Sequence, residues 1–261
     1  MKKTLLELVQ DILSDMDSDE VNGINDTVES AQVAQIVRAT YEAMLSNRDW
    51  PHLKRGVNLT PFSDPAFPTH VTVPDNIKRL ISINYNKIRV GETRKNYQPV
   101  DWVDPDDFLR MTNAEDSTSA KVDVITDPSG IELLIRNDKA PTKFTSFDDK
   151  TLVFNSYDSS VDSSIQSSKI QARAYVFPTW SHVNSFVPDL PAEAFTALLE
   201  EAKSRAMIKL KQVSDPKAEQ EARRQQSWLS RNDWVVNGGI KYPNYGRKSR
   251  KGARDITFRR D

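Results

Sequence analysis

A chain of 261 residues is long enough for one large domain or two modest lobes with a buried core. Its 38% apolar and 28% charged residues argue against extended disorder, and a net charge of −1 argues against a wholly basic nucleic-acid binder. There is no cysteine, which excludes disulfides, zinc–thiolate sites and thiol catalysis and fits assembly in a reducing cytosol.

The opening Met1-Lys2-Lys3-Thr4-Leu5-Leu6 has the look of a signal peptide, but Glu7, Gln10 and Asp11 interrupt the apolar run, so no leader is expected. Leu5, Leu6, Leu8, Val9, Ile12, Leu13 and Met16 predict a short, strongly apolar helix, ending in the acidic linker Asp17-Ser18-Asp19-Glu20. Asp26 and Glu29 have capping-box spacing for a second helix. Val33, Ile36, Val37, Thr40, Tyr41, Met44 and Leu45 form its stripe, and it should stop near Ser46-Asn47 because Trp50-Pro51 cannot continue it.

Over residues 57–178 the apolar period shortens to two. Ile81, Ile83 and Tyr85 alternate with Ser82, Asn84 and Asn86; Ile170, Ala172, Ala174 and Val176 alternate with Gln171 and Arg173. Such alternation predicts strands with one buried face. Asp127-Pro128-Ser129-Gly130 is a turn sequence between apolar runs at 122–126 and 131–135, hence a hairpin. Residues 151–155 predict a further strand, and Asp104-Pro105 a short helix within the β region. The Ser- and Asp-rich stretch 156–168 predicts an exposed loop.

Residues 190–232 read as two helices. Phe195, Leu198, Leu199, Ala202, Ala206 and Leu210 give the first an apolar face, with Pro191 and Glu193 in its first turn. Ser214-Asp215-Pro216 is the break. The second is polar, with Lys217/Glu221 and Glu219/Arg223 pairs and only Ala218, Ala222, Trp228 and Leu229 as an apolar strip. Residues 238–261 then hold eight Lys/Arg against two Asp, a net +6, while the rest of the chain carries 28 basic and 35 acidic residues, a net −7. The expected plan is α+β: a helical bundle built from N- and C-terminal helix pairs (1–56 and 179–236), an inserted antiparallel β-rich lobe (57–178) and an extended basic tail (237–261).

No catalytic or metal constellation stands out. His52, His70 and His182 lack ligand spacing, and neither a P-loop, a G-x-G-x-x-G nor a G-x-S-x-G elbow is present. Asp15, Asp17 and Asp19 begin like a calcium loop, but Glu20 replaces its glycine and Asp26 its final glutamate. Capping explains Asp104, Asp106 and Asp107, and a turn explains Asp148-Asp149. No catalytic, cofactor or metal residue is assigned. In the tail, Tyr242, Tyr245 and Phe258 are interleaved with Lys241, Arg247, Lys248, Arg250, Lys251, Arg254, Arg259 and Arg260. That composition suits a solubilising tail, a nucleic-acid arm, or an arm that orders on an acidic protein partner.

Several segments carry a resemblance in their order along the chain. They are Ser46-Asn47-Arg48-Asp49-Trp50-Pro51 leading into Val57-Asn58-Leu59-Thr60, Val73-Pro74-Asp75-Asn76-Ile77-Lys78-Arg79-Leu80, Ile135-Arg136-Asn137-Asp138-Lys139-Ala140-Pro141 through Phe147-Asp148-Asp149, and Pro188-Asp189-Leu190-Pro191. The chain resembles the head-to-tail adaptors of short-tailed bacteriophages, the tail tubular protein A type, and departs from the shortest of them in a larger β region at 86–178. The resemblance implies a virion neck protein without enzymatic activity. It implies a homo-oligomeric ring of twelve copies between the portal protein and the tail nozzle protein, a platform for tail fibres, and DNA passing through the channel without specific binding. By the same analogy the eleven tail residues from Lys241 to Arg260 named above grip the portal. The alternative is a nucleic-acid-binding protein acting through that tail. No membrane association is expected, since no apolar run approaches spanning length.

Overall fold

The computed structural model describes residues 2–89, 91–231, 235–237 and 240–242. The chain divides into two compact units: Met1–Pro51 with Thr179–Asp261, and His52–Pro178.

The first unit opens with α1 (Leu5–Asp15), which starts at a reciprocal cap. The Thr4 hydroxyl accepts from the Glu7 N–H at 3.2 Å, and the Glu7 carboxylate accepts from the Thr4 N–H at 2.7 Å. Leu5, Leu8, Val9 and Ile12 on its inner face are fully buried. The cap of α2 (Val28–Asn47) differs from the sequence expectation by one residue. Thr27 and Ser30 exchange the two cap bonds, at 3.0 and 3.1 Å, and Asp26 instead accepts from the Asn22 N–H to hold the preceding turn. Where α2 ends, the Trp50 indole N–H donates to the Met44 carbonyl at 3.0 Å, satisfying a carbonyl that has no partner within the helix.

The second unit is the sheet. In chain order it contains β1 (Lys54–Val57), β2 (Thr60–Pro61), β3 (His70–Thr72), β4 (Ile77–Asn86), β5 (Tyr97–Trp102), α3 (Pro105–Thr112), β6 (Val122–Thr126), β7 (Glu132–Arg136), β8 (Lys143–Thr145), β9 (Thr151–Phe154) and β10 (Ile170–Val176). Eight strands form one curled sheet in the order β1-β10-β4-β5-β8-β9-β3-β2, and β6 and β7 form a separate hairpin. Sheet neighbours are antiparallel except β5 and β8, which run parallel. The long connection from β5 to β8 carries α3 and the β6–β7 hairpin, which supplies the length a parallel crossover needs. Val71, Ile83, Phe108, Leu133, Ile135 and Phe154 are among the buried side chains of its core.

Two local features of this unit depart from the expected pattern. The alternation along β4 is broken by a bulge: Ser82 pairs with Arg173 and Leu80 with Ala174, so Ile81 is an extra residue. Ile83 and Tyr85 are buried, but Ile81 is 41% exposed. The stretch 156–168 is not an exposed loop throughout. Tyr157 and Ile165 are buried, the Ile165 N–H donates to the Pro68 carbonyl at 2.8 Å, and the Tyr157 hydroxyl donates to Asp123. Two isolated apolar anchors suffice to pin an otherwise polar segment.

The chain returns to the first unit as α4 (Ala194–Ala206), α5 (Pro216–Arg231) and the strands β11 (Val235–Asn237) and β12 (Ile240–Tyr242), which pair antiparallel. α4 is the shared element: α1 and α2 pack on it, and α5 folds back on it. Ala194, Ala197, Leu198, Ala202 and Ala206 are fully buried, while Leu199 is only half-buried. A π turn (Met207–Lys211) follows, then Gln212 in the left-handed region at φ 56°. The wider turn breaks the three-and-four spacing, so the stripe expected to reach Leu210 stops at Ala206, and Ile208 and Val213 are left exposed. The Asp215 carboxylate accepts from the N–H groups of Lys217 and Ala218, both at 3.1 Å, starting α5 with Pro216 at the position where its missing N–H costs nothing.

The expected bundle of two terminal helix pairs carrying an antiparallel lobe is therefore not the architecture. The fold is α+β, but dominated by a curled, mixed, eight-stranded sheet accompanied by five helices among the described residues. The helices fail to form a paired bundle because α5 is polar and, among its described side chains, buries Ala218, Ala222 and Leu229 against α4. Leu198→Ala should destabilise the protein by roughly 2–5 kcal/mol in urea titration, because a fully buried side chain is removed. Ile208→Ala, on the exposed turn, should stay within about 0.5 kcal/mol of the parent protein.

Candidate functional site

Three places in the described structure gather side chains with chemical character. The first lies under the β6–β7 turn. The turn is closed by the Asp127 N–H donating to Ile131 at 2.8 Å and the Gly130 N–H donating to Asp127 at 2.7 Å, with Gly130 at φ 88°, a backbone that favours glycine. This aims the Asp127 carboxylate inward. Its Oδ1 lies 2.9 Å from Nε2 of His70 on β3, which is fully buried and has the rings of Phe62 and Phe67 at 5.7 and 5.2 Å. The Asp127 Oδ2 accepts from both the N–H and the hydroxyl of Ser129. A cavity of about 220 Å³ adjoins the pair, lined by Phe62, Ser129, Phe147, Asp148 and Thr151 among others.

Charge states follow from these surroundings. Burial holds His70 below its ordinary 6.5 against the pull of Asp127. Burial pushes the Asp127 carboxyl up, but the Ser129 hydroxyl and N–H, with His70, outweigh it and hold it below 3.8. Asp148 is likewise pushed up by burial and pulled lower overall by the N–H groups of Thr151 and Lys150 and the Thr151 hydroxyl. A neutral His70 donating Nε2–H to an ionised Asp127 satisfies both groups. Ser129 bonds to the carboxylate rather than to the imidazole, so no base activates its hydroxyl. Both acids are held in the same ionised state, whereas acid–base catalysis needs pKa values pushed apart. The arrangement is a polar strut tying the hairpin to the sheet.

The second place is the groove over β4, β5 and β8, about 690 Å³ in volume. Trp102, 53% exposed, stands edge-on to the buried Phe144 with ring centroids 5.5 Å apart, and Ile81 at the bulge faces the same groove. Ser146, also on its wall, is 7% exposed, and its hydroxyl has no hydrogen-bond partner among the described residues. Asp101 and Asp149 lie at its margin; Asp101 takes a 2.9 Å bond from Lys143. Lys78 and Arg79 also line it, with their cations over the rings of Phe177 and Tyr175 at 5.9 and 5.2 Å. The bulge is what exposes Ile81, and no sequence pattern announced it.

The third is the α4–α5 corner. Lys203 Nζ lies 2.9 Å from Asp15 and 4.0 Å from Asp215, so the first acid of the calcium-like sequence is an ion-pair partner. The Asp15 hydrogen bond raises the Lys203 pKa, and burial raises that of Glu200 beside it. Among the described residues no three His, Cys, Asp or Glu side chains are grouped to hold a metal ion. No helix of the described residues is long and apolar enough to cross a membrane.

Of the sequence-predicted tail site, Lys241 and Tyr242 fall on β12, opposite Val236 and Val235. Tyr245, Arg247, Lys248, Arg250, Lys251, Arg254, Phe258, Arg259 and Arg260 lie outside the described residues. Comparison of the chain with protein-family models and with curated proteins finds no match.

The strut makes a signed pH prediction. His70 has a folded pKa below its unfolded value, so its contribution is intact above about 6.5 and is lost as pH falls from there through the folded pKa. Asp127, also lowered, contributes above 3.8 and loses that contribution only as pH falls further. The urea midpoint should therefore drop between pH 7 and pH 5.5. His70→Gln should be less stable at pH 7 and show a smaller drop over that interval.

Proposed function

We propose that this chain is a structural head-to-tail adaptor of a short-tailed phage virion, forming a ring between portal and tail nozzle through which DNA passes. The observation that carries the reading is the distribution of exposed apolar side chains. Ile81 and Trp102 flank a groove on the sheet, and Ile208 and Val213 stand on the α4–α5 turn. A closed ring built head to tail needs two unlike surfaces on every copy, and these are unlike in shape and origin. The ordered run of segments that resembles those of adaptors and the acidic chain with its +6 basic end support the same reading. In this reading twelve copies form the ring, the portal takes the basic aromatic tail, and nozzle and fibres attach to other faces.

The tail also supports a second reading, a nucleic-acid-binding arm, because eight cations interleaved with aromatics suit phosphates and bases. Deleting residues 243–261, which leaves the β11–β12 hairpin intact, separates the two. In the adaptor reading the truncated protein keeps its melting temperature and loses binding to purified portal in sedimentation velocity. Any DNA binding by the full chain is then weak, sequence-independent and steeply salt-dependent. Retained portal binding with loss of DNA affinity alone would move the tail to the second reading.

A further inference from the structure

We infer that the α4–α5 turn of one copy docks into the β4–β5 groove of a second copy, an inference that rests on the ring reading. The turn is a compact knob. Its π turn and the left-handed Gln212 hold Ile208 and Val213 outward at 50% and 55% exposure, and Val213 is tied back to Met207 by a 3.3 Å backbone bond. A left-handed glutamine is a strained backbone conformation, of the kind that gathers at functional segments. Lys209 and Lys211 flank the two apolar side chains, Lys211 reaching Glu29 at 3.3 Å, and no acid lies between Met207 and Val213.

The groove answers each property. Ile81 and Trp102 offer an apolar surface to meet Ile208 and Val213, and Asp149, with the Asp101 carboxylate that Lys143 shares, opposes the knob's lysines. Lys78 and Arg79, the groove's own cations, lie over aromatic rings. One chain displays both halves, so contact between copies is heterologous and propagates around a ring.

The absence of cysteine makes the test direct. Copies carrying Ile81→Cys are mixed with mass-tagged copies carrying Ile208→Cys and oxidised; the control mixture pairs Ile81→Cys with Val28→Cys, a residue 77% exposed on α2. All three sites are on the surface, so the variants should melt with the parent protein. The expected result is a covalent heterodimer in the first mixture and its loss in the control. Self-association in sedimentation with equal heterodimer in both mixtures would overturn the pairing while leaving the ring reading standing. No self-association, alone or with purified portal, would overturn both.

Discussion

The pairing of β1 with β10 is the constraint on which the architecture turns. These are the first and last strands of the sheet unit, and they lie side by side with Lys54 opposite Tyr175 and Val57 opposite Ala172. The Lys54 ammonium sits 5.5 Å from the centroid of the Tyr175 ring, and Ala172 and Ala174 are buried where the strands meet. A sheet whose first and last strands are neighbours delivers the chain back to where it entered. That closure lets α1 and α2, made before the sheet, pack with α4, made after it. It also explains the long-range bonds of the helical unit, such as the Leu5 N–H to the Phe186 carbonyl at 2.7 Å and the Asp189 N–H to the Tyr41 hydroxyl at 3.2 Å. Both join residues on either side of the whole sheet unit.

Much of the local structure was legible, because local rules decide it. The turn at Asp127–Gly130, the Asp104-Pro105 start of α3 and the Asp215-Pro216 start of α5 are each set by two or three neighbouring side chains. What failed was whatever depends on register. The α4 stripe reaches Leu210 in sequence because three-and-four spacing assumes unbroken helical turns, and a π turn inserts a residue without a signature in composition. The alternation of β4 runs through Ile81 in sequence because a bulge likewise adds one residue. Asp26 and Thr27 both cap well, so only backbone geometry chooses Thr27. The bundle expectation fails for a related reason: an apolar stripe says that a helix face is buried, not against what.

The candidate sites were less legible than the fold, and the cause is sequence distance. His70 and Asp127 are 57 positions apart and meet only because β3 and the β6–β7 hairpin belong to one folded unit. His70 has no motif around it, and the motif around Asp127 announces a turn, not a partner. The groove is harder still, since it is made by β4, β5 and β8 and by the exposure of Ile81 and Trp102, which a period-two reading places by default on a buried or a solvated face.

Strength and exposure are distributed in a way that suits assembly. The His70–Asp127 bond is fully internal and satisfies its partners completely, so it stiffens the sheet unit and leaves nothing to offer a second molecule. The turn after α4 and the groove over β4 and β5 do the reverse: backbone irregularities, a π turn in one and a bulge in the other, push apolar side chains outward. An irregularity that only cost stability would be expected where it exposes nothing. Here both occur where large side chains emerge, one directly after α4 with its fully buried alanines and one in β4, which is hydrogen-bonded between β10 and β5. In the proposed ring, a rigid base under an exposed tip would lose little conformational entropy on docking, and that low ordering cost would let modest patches hold copies gripped on two sides.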